Sequence, residues 1–131
     1  MEREFIPYEI ALTLKELGFD EPCLGNYKKT GGLHILHYGT CGSTKSDNFN
    51  ILAPLYQQAF RWFLDNYGLF VETTLWGDGI GYMSQIKQIK KEEFLEVYNL
   101  GYVSPNRGLP NWDREKEELD CLKKLIEIVK Q

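Results

Sequence analysis

Apolar positions recur along the chain with two periods, one helical and one extended, and Pro and Gly mark where each run begins and ends. Pro7 stands where a helix can open, because its missing N–H costs nothing at the first helical position. Ile10, Leu14 and Leu17 then share one face, and Gly18 is free to close the helix at positive φ. A short strand around Cys23 to Tyr27, a turn over Lys28-Lys29-Thr30-Gly31-Gly32 and a returning strand from Leu33 to Tyr38 read as a hairpin. Residues 39–50 are small, polar and aperiodic, which predicts a loop. Pro54 opens a second helix that runs to about Tyr67, before Gly68. Its apolar arc is wide: Leu55, Tyr56, Ala59, Phe60, Trp62, Phe63, Leu64 and Tyr67 leave only Gln57, Gln58, Arg61 and Asp65 as a polar strip.

The second half repeats the hairpin theme. Leu69 to Trp76 is rich in β-formers, Gly77-Asp78-Gly79 is a turn signal, and Ile80 to Ile89 returns. Glu92 to Leu100 reads as a short helix. Residues 101–111 hold Pro105, Gly108 and Pro110 and read as a loop. The last helix starts near Trp112-Asp113, with Asp113 as N-cap and Glu115, Glu117 and Glu118 at the positive end of its dipole. Leu119, Leu122, Ile126 and Val129 form one seam, and Cys121, Leu125 and Ile128 a second. The order predicts a single α+β domain over residues 1–131. It would hold an antiparallel sheet made from two hairpins, with about four helices packed mainly on one face.

Composition narrows the function classes. A chain of 131 residues, 43% hydrophobic and 26% charged, can bury enough apolar surface to fold without disulfide or metal. With 15 basic and 19 acidic residues the net charge is -4, and no basic stripe interrupts it. Nucleic-acid affinity rests on Lys and Arg neutralising phosphates, so DNA and RNA are not expected partners. The three cysteines, Cys23, Cys41 and Cys121, are widely spaced and form no C-x-x-C, which fits a reduced, cytoplasmic protein. No apolar run of signal-peptide length follows the N-terminus, and none approaches the ~20 residues of a membrane span.

Three blocks carry a resemblance. The first is Ile6-Pro7-Tyr8-Glu9-Ile10-Ala11-Leu12, followed by Lys15-Glu16-Leu17-Gly18-Phe19-Asp20-Glu21-Pro22-Cys23. The second is Pro54-Leu55-Tyr56-Gln57-Gln58-Ala59-Phe60-Arg61-Trp62-Phe63 with Tyr67-Gly68-Leu69, and the third is Cys121 to Lys130. In this order they resemble a family of small proteins carried by bacteriophages and prophages of gut bacteria. The resemblance implies a role inside a bacterial host cell, in host takeover or counter-defence. It brings no catalytic or binding residues with it, and the stretch from Leu75 to Trp112 departs from it most.

Candidate chemistry is sparse. Gly39-Thr40-Cys41-Gly42-Ser43-Thr44-Lys45-Ser46 approaches a phosphate-binding P-loop, but Thr44 stands where the second glycine belongs and no helix follows directly. Its plain reading is a surface loop. Its functional reading is a weaker anion nest in which Gly39, Thr40, Gly42, Ser43 and Lys45 hold a small anionic ligand such as a nucleotide signal. Cys41 needs a base to become a nucleophile, and His34 and His37 have opposite parity on one strand, so at most one could serve. They cannot jointly grip a metal from that strand either. The carboxylates are accounted for by solvation and helix dipoles. Trp76, Tyr98, Tyr102, Arg107 and Trp112 lie near turns and loops, where aromatic and Arg side chains suit protein contact.

The leading expectation is therefore a binding protein directed at a host protein, without metal or cofactor and without catalytic residues. Capture of a small anionic ligand is the alternative, and a small cysteine-dependent enzyme comes third. The wide apolar arcs of the second and last helices add an expectation of a two-fold homodimer through a helix face, with Tyr56, Tyr67, Cys121 and Ile128 at the margins.

Overall fold

The computed structural model describes residues 2–28, 30–35, 51–76, 81–89, 97–102 and 113–130, with backbone alone at 2, 76 and 97–102. The described part of the chain is α+β, with two antiparallel sheets of three strands each and three α-helices. It divides into two compact units, residues 1–59 and 60–131.

The first unit opens with a 3-10 turn, Glu2–Glu4, and helix α1, Tyr8–Glu16. Pro7 is the N-cap of α1, held extended at φ -63° and ψ 155°. Gly18, at φ 99°, ends the helix. Its N–H donates to the Lys15 carbonyl and that of Phe19 to the Leu14 carbonyl, the paired bonds of a Schellman motif. The motif brings its hydrophobic pair with it, since Leu14 and Phe19 are both buried. Strands β1 (Gly25–Tyr27), β2 (Leu33–Ile35) and β3 (Ile51–Ala53) form a sheet in the order β2-β1-β3. Helix α1 lies against β3. Phe5 bridges Leu55, and the Ile6 N–H donates to the Pro54 carbonyl, so the N-terminal segment runs beside the end of β3. The Tyr27 hydroxyl donates to the buried Ile6 carbonyl at 2.6 Å, and its ring meets Tyr8 edge-on. A side chain on Gly25 would strike the Phe5 ring at 2.9 Å, which keeps that strand position glycine.

Helix α2, Tyr56–Tyr67, begins in the first unit and continues into the second. Gly68, at φ 68°, caps it by donating its N–H to the Leu64 carbonyl. The chain then enters β4 (Leu69–Trp76), which pairs with β5 (Gly81–Ile89) in an unbroken register from Leu69↔Gln88 to Trp76↔Gly81. Strand β6 (Val97–Tyr102) pairs on the other side of β5. Helix α3, Arg114–Lys130, packs against β5. Asp113 caps α3, its Oδ1 accepting from the Glu115 N–H at 3.0 Å. The buried stripe of α3 is Glu117, Cys121, Leu122, Leu125 and Ile126.

Several expectations are corrected here. The two hairpins do not share one sheet: each recruits a third strand and founds its own. An isolated hairpin is marginal in water, and a third strand with a buried face is the usual remedy. In the first unit that strand is Ile51–Ala53, buried on both faces, which as a three-residue apolar run before Pro54 carried no period to betray it. In the second it is Val97–Tyr102, expected as the end of a short helix and the start of a loop. Val97, Tyr98 and Tyr102 are good strand formers, and pairing with β5 makes a strand of the segment. Three α-helices stand among the described residues; of the short helix expected over Glu92 to Leu100, residues 97–100 are strand and residues 92–96 lie outside the described residues.

Candidate functional site

The parity of β4 and β5 sorts the second unit's sheet into two faces. Residues directly opposite in an antiparallel pair share a face. Leu69, Val71, Thr73 and Leu75 therefore lie with Gln88, Ile86, Ser84 and Tyr82. Phe70, Glu72 and Thr74 lie with Lys87, Gln85 and Met83 on the other.

The first face carries α3 and, beneath it, a buried polar cluster. Ser84 is fully buried, its Oγ 2.8 Å from Oγ1 of the exposed Thr73, and it lies close enough to the Cys121 thiol to ease its ionisation. Glu117, one turn before Cys121 on the same stripe, is fully buried too. Burial pushes the Cys121 thiol up to about 12, the nearby charges of Glu117, Asp120 and Glu118 add to the rise, and the Ser84 hydrogen bond opposes it. A thiol in that range keeps its proton at neutral pH and is a poor nucleophile. What the cluster can do chemically is hold a helix to a sheet. Sequence reasoning missed it because Ser84 is one small residue in an alternating strand. It also assigned Glu117 to the solvated start of the helix. The signal was present: Glu117 is four residues before Cys121 and so shares its face.

The second face is open at one end, where Phe70 is 42% and Ile89 43% exposed, and closed farther along at Met83, 4% exposed. Phe70 stands opposite Lys87, and Ile89 is its diagonal neighbour on β5, a spacing of roughly 7 Å in such ladders. Beside them Lys87 Nζ meets Glu72 Oε2 at 2.7 Å. The result is an apolar pair bordered by an ion pair, held on two strands in unbroken register. Position 68 is what allows it: a side chain on Gly68 would come within 2.6 Å of the Ile89 carbonyl oxygen.

The residues chosen from the sequence fare unevenly. Gly39, Thr40, Gly42, Ser43 and Lys45 lie outside the described residues, as do Cys41, His37, Arg107 and Trp112. Trp76 ends β4, opposite Gly81. Tyr98 stands opposite Gln88 and Tyr102 opposite Gln85, with a register shift between. The shift is a β-bulge around Leu100 and Gly101, where β6 spends one residue more than β5. In a regular strand positions 98 and 102 would share a face. The bulge pairs Tyr98 and Tyr102 with Gln88 and Gln85, which have opposite parity on β5.

Among the described residues no group of three or more His, Cys, Asp or Glu is placed to hold a metal ion, and no helix is long and apolar enough to cross a membrane. Neither Cys23 nor Cys121 is in a disulfide. Against known protein families, curated proteins and solved structures, the chain shows no match.

Proposed function

We propose that the protein acts by binding another protein, and that Phe70 and Ile89 on the open sheet face are the centre of the contact. One observation carries this reading. Of the four large apolar side chains exposed among the described residues, Leu24, Phe70, Leu75 and Ile89, two, Phe70 and Ile89, are diagonal neighbours on one face of the β4–β5 pair. Single exposed apolar groups are ordinary, whereas an aromatic and an aliphatic side chain exposed side by side on one sheet face are characteristic of a recognition surface. An aromatic anchor with a polar rim is also the usual anatomy of a protein contact. The resemblance to phage and prophage proteins supports a bacterial host protein as the partner and host takeover or counter-defence as the role.

The test uses the tagged full chain and lysate of a gut bacterium. The wild type is expected to retain a host protein saturably, and a Phe70→Glu, Ile89→Glu double variant to lose it. Burial of one Phe side chain is worth about 1.5–3 kcal/mol, so affinity should fall by roughly tenfold to a hundredfold. Both side chains are half exposed, so the variant should melt like the wild type. Capture at equal strength by a folded double variant refutes this surface.

A further inference from the structure

The sheet of the second unit has the order β4-β5-β6, so one side of β4 has no strand beside it among the described residues. One hydrogen bond tells which backbone groups point that way. The Ile89 N–H donates to the Gly68 carbonyl at 2.8 Å, and Gly68 and Ile89 extend the register that pairs Leu69 with Gln88. Hydrogen-bonded and non-hydrogen-bonded pairs alternate along an antiparallel ladder. Phe70, Glu72, Thr74 and Trp76 therefore turn their N–H and C=O groups to β5. Leu69, Val71, Thr73 and Leu75 turn theirs outward. Leu69 is buried, but Thr73, Thr74 and Leu75 are exposed, Leu75 at 63%. The usable edge is thus Val71 to Leu75.

Edge strands are ordinarily guarded by Lys, Pro or a bulge. Val71-Glu72-Thr73-Thr74-Leu75 has neither Lys nor Pro, and its pairing with β5 has no shift. The one bulge of this sheet is on the opposite side, in β6. Glu72 is the only charge, and it is engaged by Lys87 of the neighbouring strand.

We propose that this edge pairs antiparallel with the same edge of a second copy of the chain, about a two-fold axis at Thr73. The segment's own pattern names the occupant and the register. A centre at Glu72 would set two carboxylates directly opposite each other, and like charges so placed are destabilising. A centre at Thr74 would carry Val71 past the end of the other copy's β4. A centre at Thr73 sets Thr73 against Thr73, Val71 against Leu75 and Glu72 against Thr74, so every residue of the edge has a partner inside it. The outward N–H and C=O groups of Val71, Thr73 and Leu75 then exchange bonds in pairs, and two three-stranded sheets become one of six strands. Of the helix margins expected to mediate a dimer, Cys121 and Tyr56 are buried and Ile128 and Tyr67 half-buried.

Sedimentation equilibrium of the full chain up to hundreds of micromolar tests this. The wild type should show a monomer–dimer equilibrium. Thr73→Pro removes an N–H that points away from β5, a change that edge strands tolerate, and should leave a folded monomer, whereas Thr73→Val, which loses the same hydroxyl bond to Ser84 but keeps the N–H, should still dimerise. Register is read by Thr74, exposed and opposite Glu72 of the second copy. Thr74→Lys should tighten the dimer and Thr74→Glu should loosen it, each by roughly twofold to tenfold in Kd, reversing in high salt. A wild type that stays at 15.3 kDa throughout overturns the proposal and leaves the edge to another protein's strand. So does a folded Thr73→Pro variant that still dimerises. A Kd that moves the same way for both Thr74 variants overturns the register.

Discussion

Two glycines that end helices illustrate how one residue can carry different loads. Gly18 and Gly68 both sit at positive φ, where a Cβ meets the following carbonyl. Around Gly18 there is open space, while at Gly68 a Cβ would come within 2.6 Å of the Ile89 backbone oxygen. Gly18→Ala should therefore cost about 1 kcal/mol, the conformational term alone. Gly68→Ala must also displace the end of β5, and should cost roughly 3 kcal/mol or more, read by urea unfolding. Equal losses would show that the contact with Ile89 imposes nothing. Cys121 makes a second residue-scale prediction. Its thiol ionises near 9.0 in an unfolded chain and near about 12 when folded, because burial disfavours the thiolate. The folded state holds the proton longer, so this contribution to stability is intact below 9.0 and is lost as pH rises towards about 12. The loss is at most about 1.4 kcal/mol per pH unit. Cys121→Ala should flatten the fall of stability through that window, and iodoacetamide near neutral pH should label Cys121 only after unfolding. Rapid labelling of the native chain there would contradict the burial account.

At the scale of elements, ends were more legible than partners. Asp113 could be read as an N-cap because a short acidic side chain before an apolar-periodic run has a local mechanism, and its carboxylate does accept the Glu115 N–H. Asp113→Ala should cost about 1 kcal/mol in thermal or urea unfolding. No loss would mean the Arg114 end of α3 frays in solution. Gly18 and Gly68 were legible for the same reason, as were the two arms of the β4–β5 hairpin around Gly77-Asp78-Gly79. The third strands were not. Ile51–Ala53 has no strand signal of its own and exists because Tyr27 and its neighbours in β1 offer it a ladder. Val97–Tyr102 depends in the same way on β5, and its bulge moves Tyr98 and Tyr102 to opposite parity, which no spacing in sequence announces. The candidate surface was half visible. Aromatic residues near turns drew attention to Trp76, whereas Phe70 and Ile89 looked like ordinary members of buried strands. Only the pairing of β4 with β5, together with what is left uncovered, identifies them as exposed.

At the scale of the molecule, the chain divides into two compact units, and the proposed contacts belong to the second. That unit buries Ser84, Cys121 and Glu117 and presents Phe70 and Ile89 outside on one sheet face. The central claim is that this outward face recognises another protein. The most direct measurement is photo-crosslinking in bacterial cells, with a photoreactive amino acid placed in turn at position 70, position 89 and position 15. Lys15 is exposed on α1 of the first unit and serves as the comparison site. One shared adduct with a host protein is expected from positions 70 and 89, absent from position 15. Adducts that are the same from all three positions, or none beyond the chain itself, would contradict it.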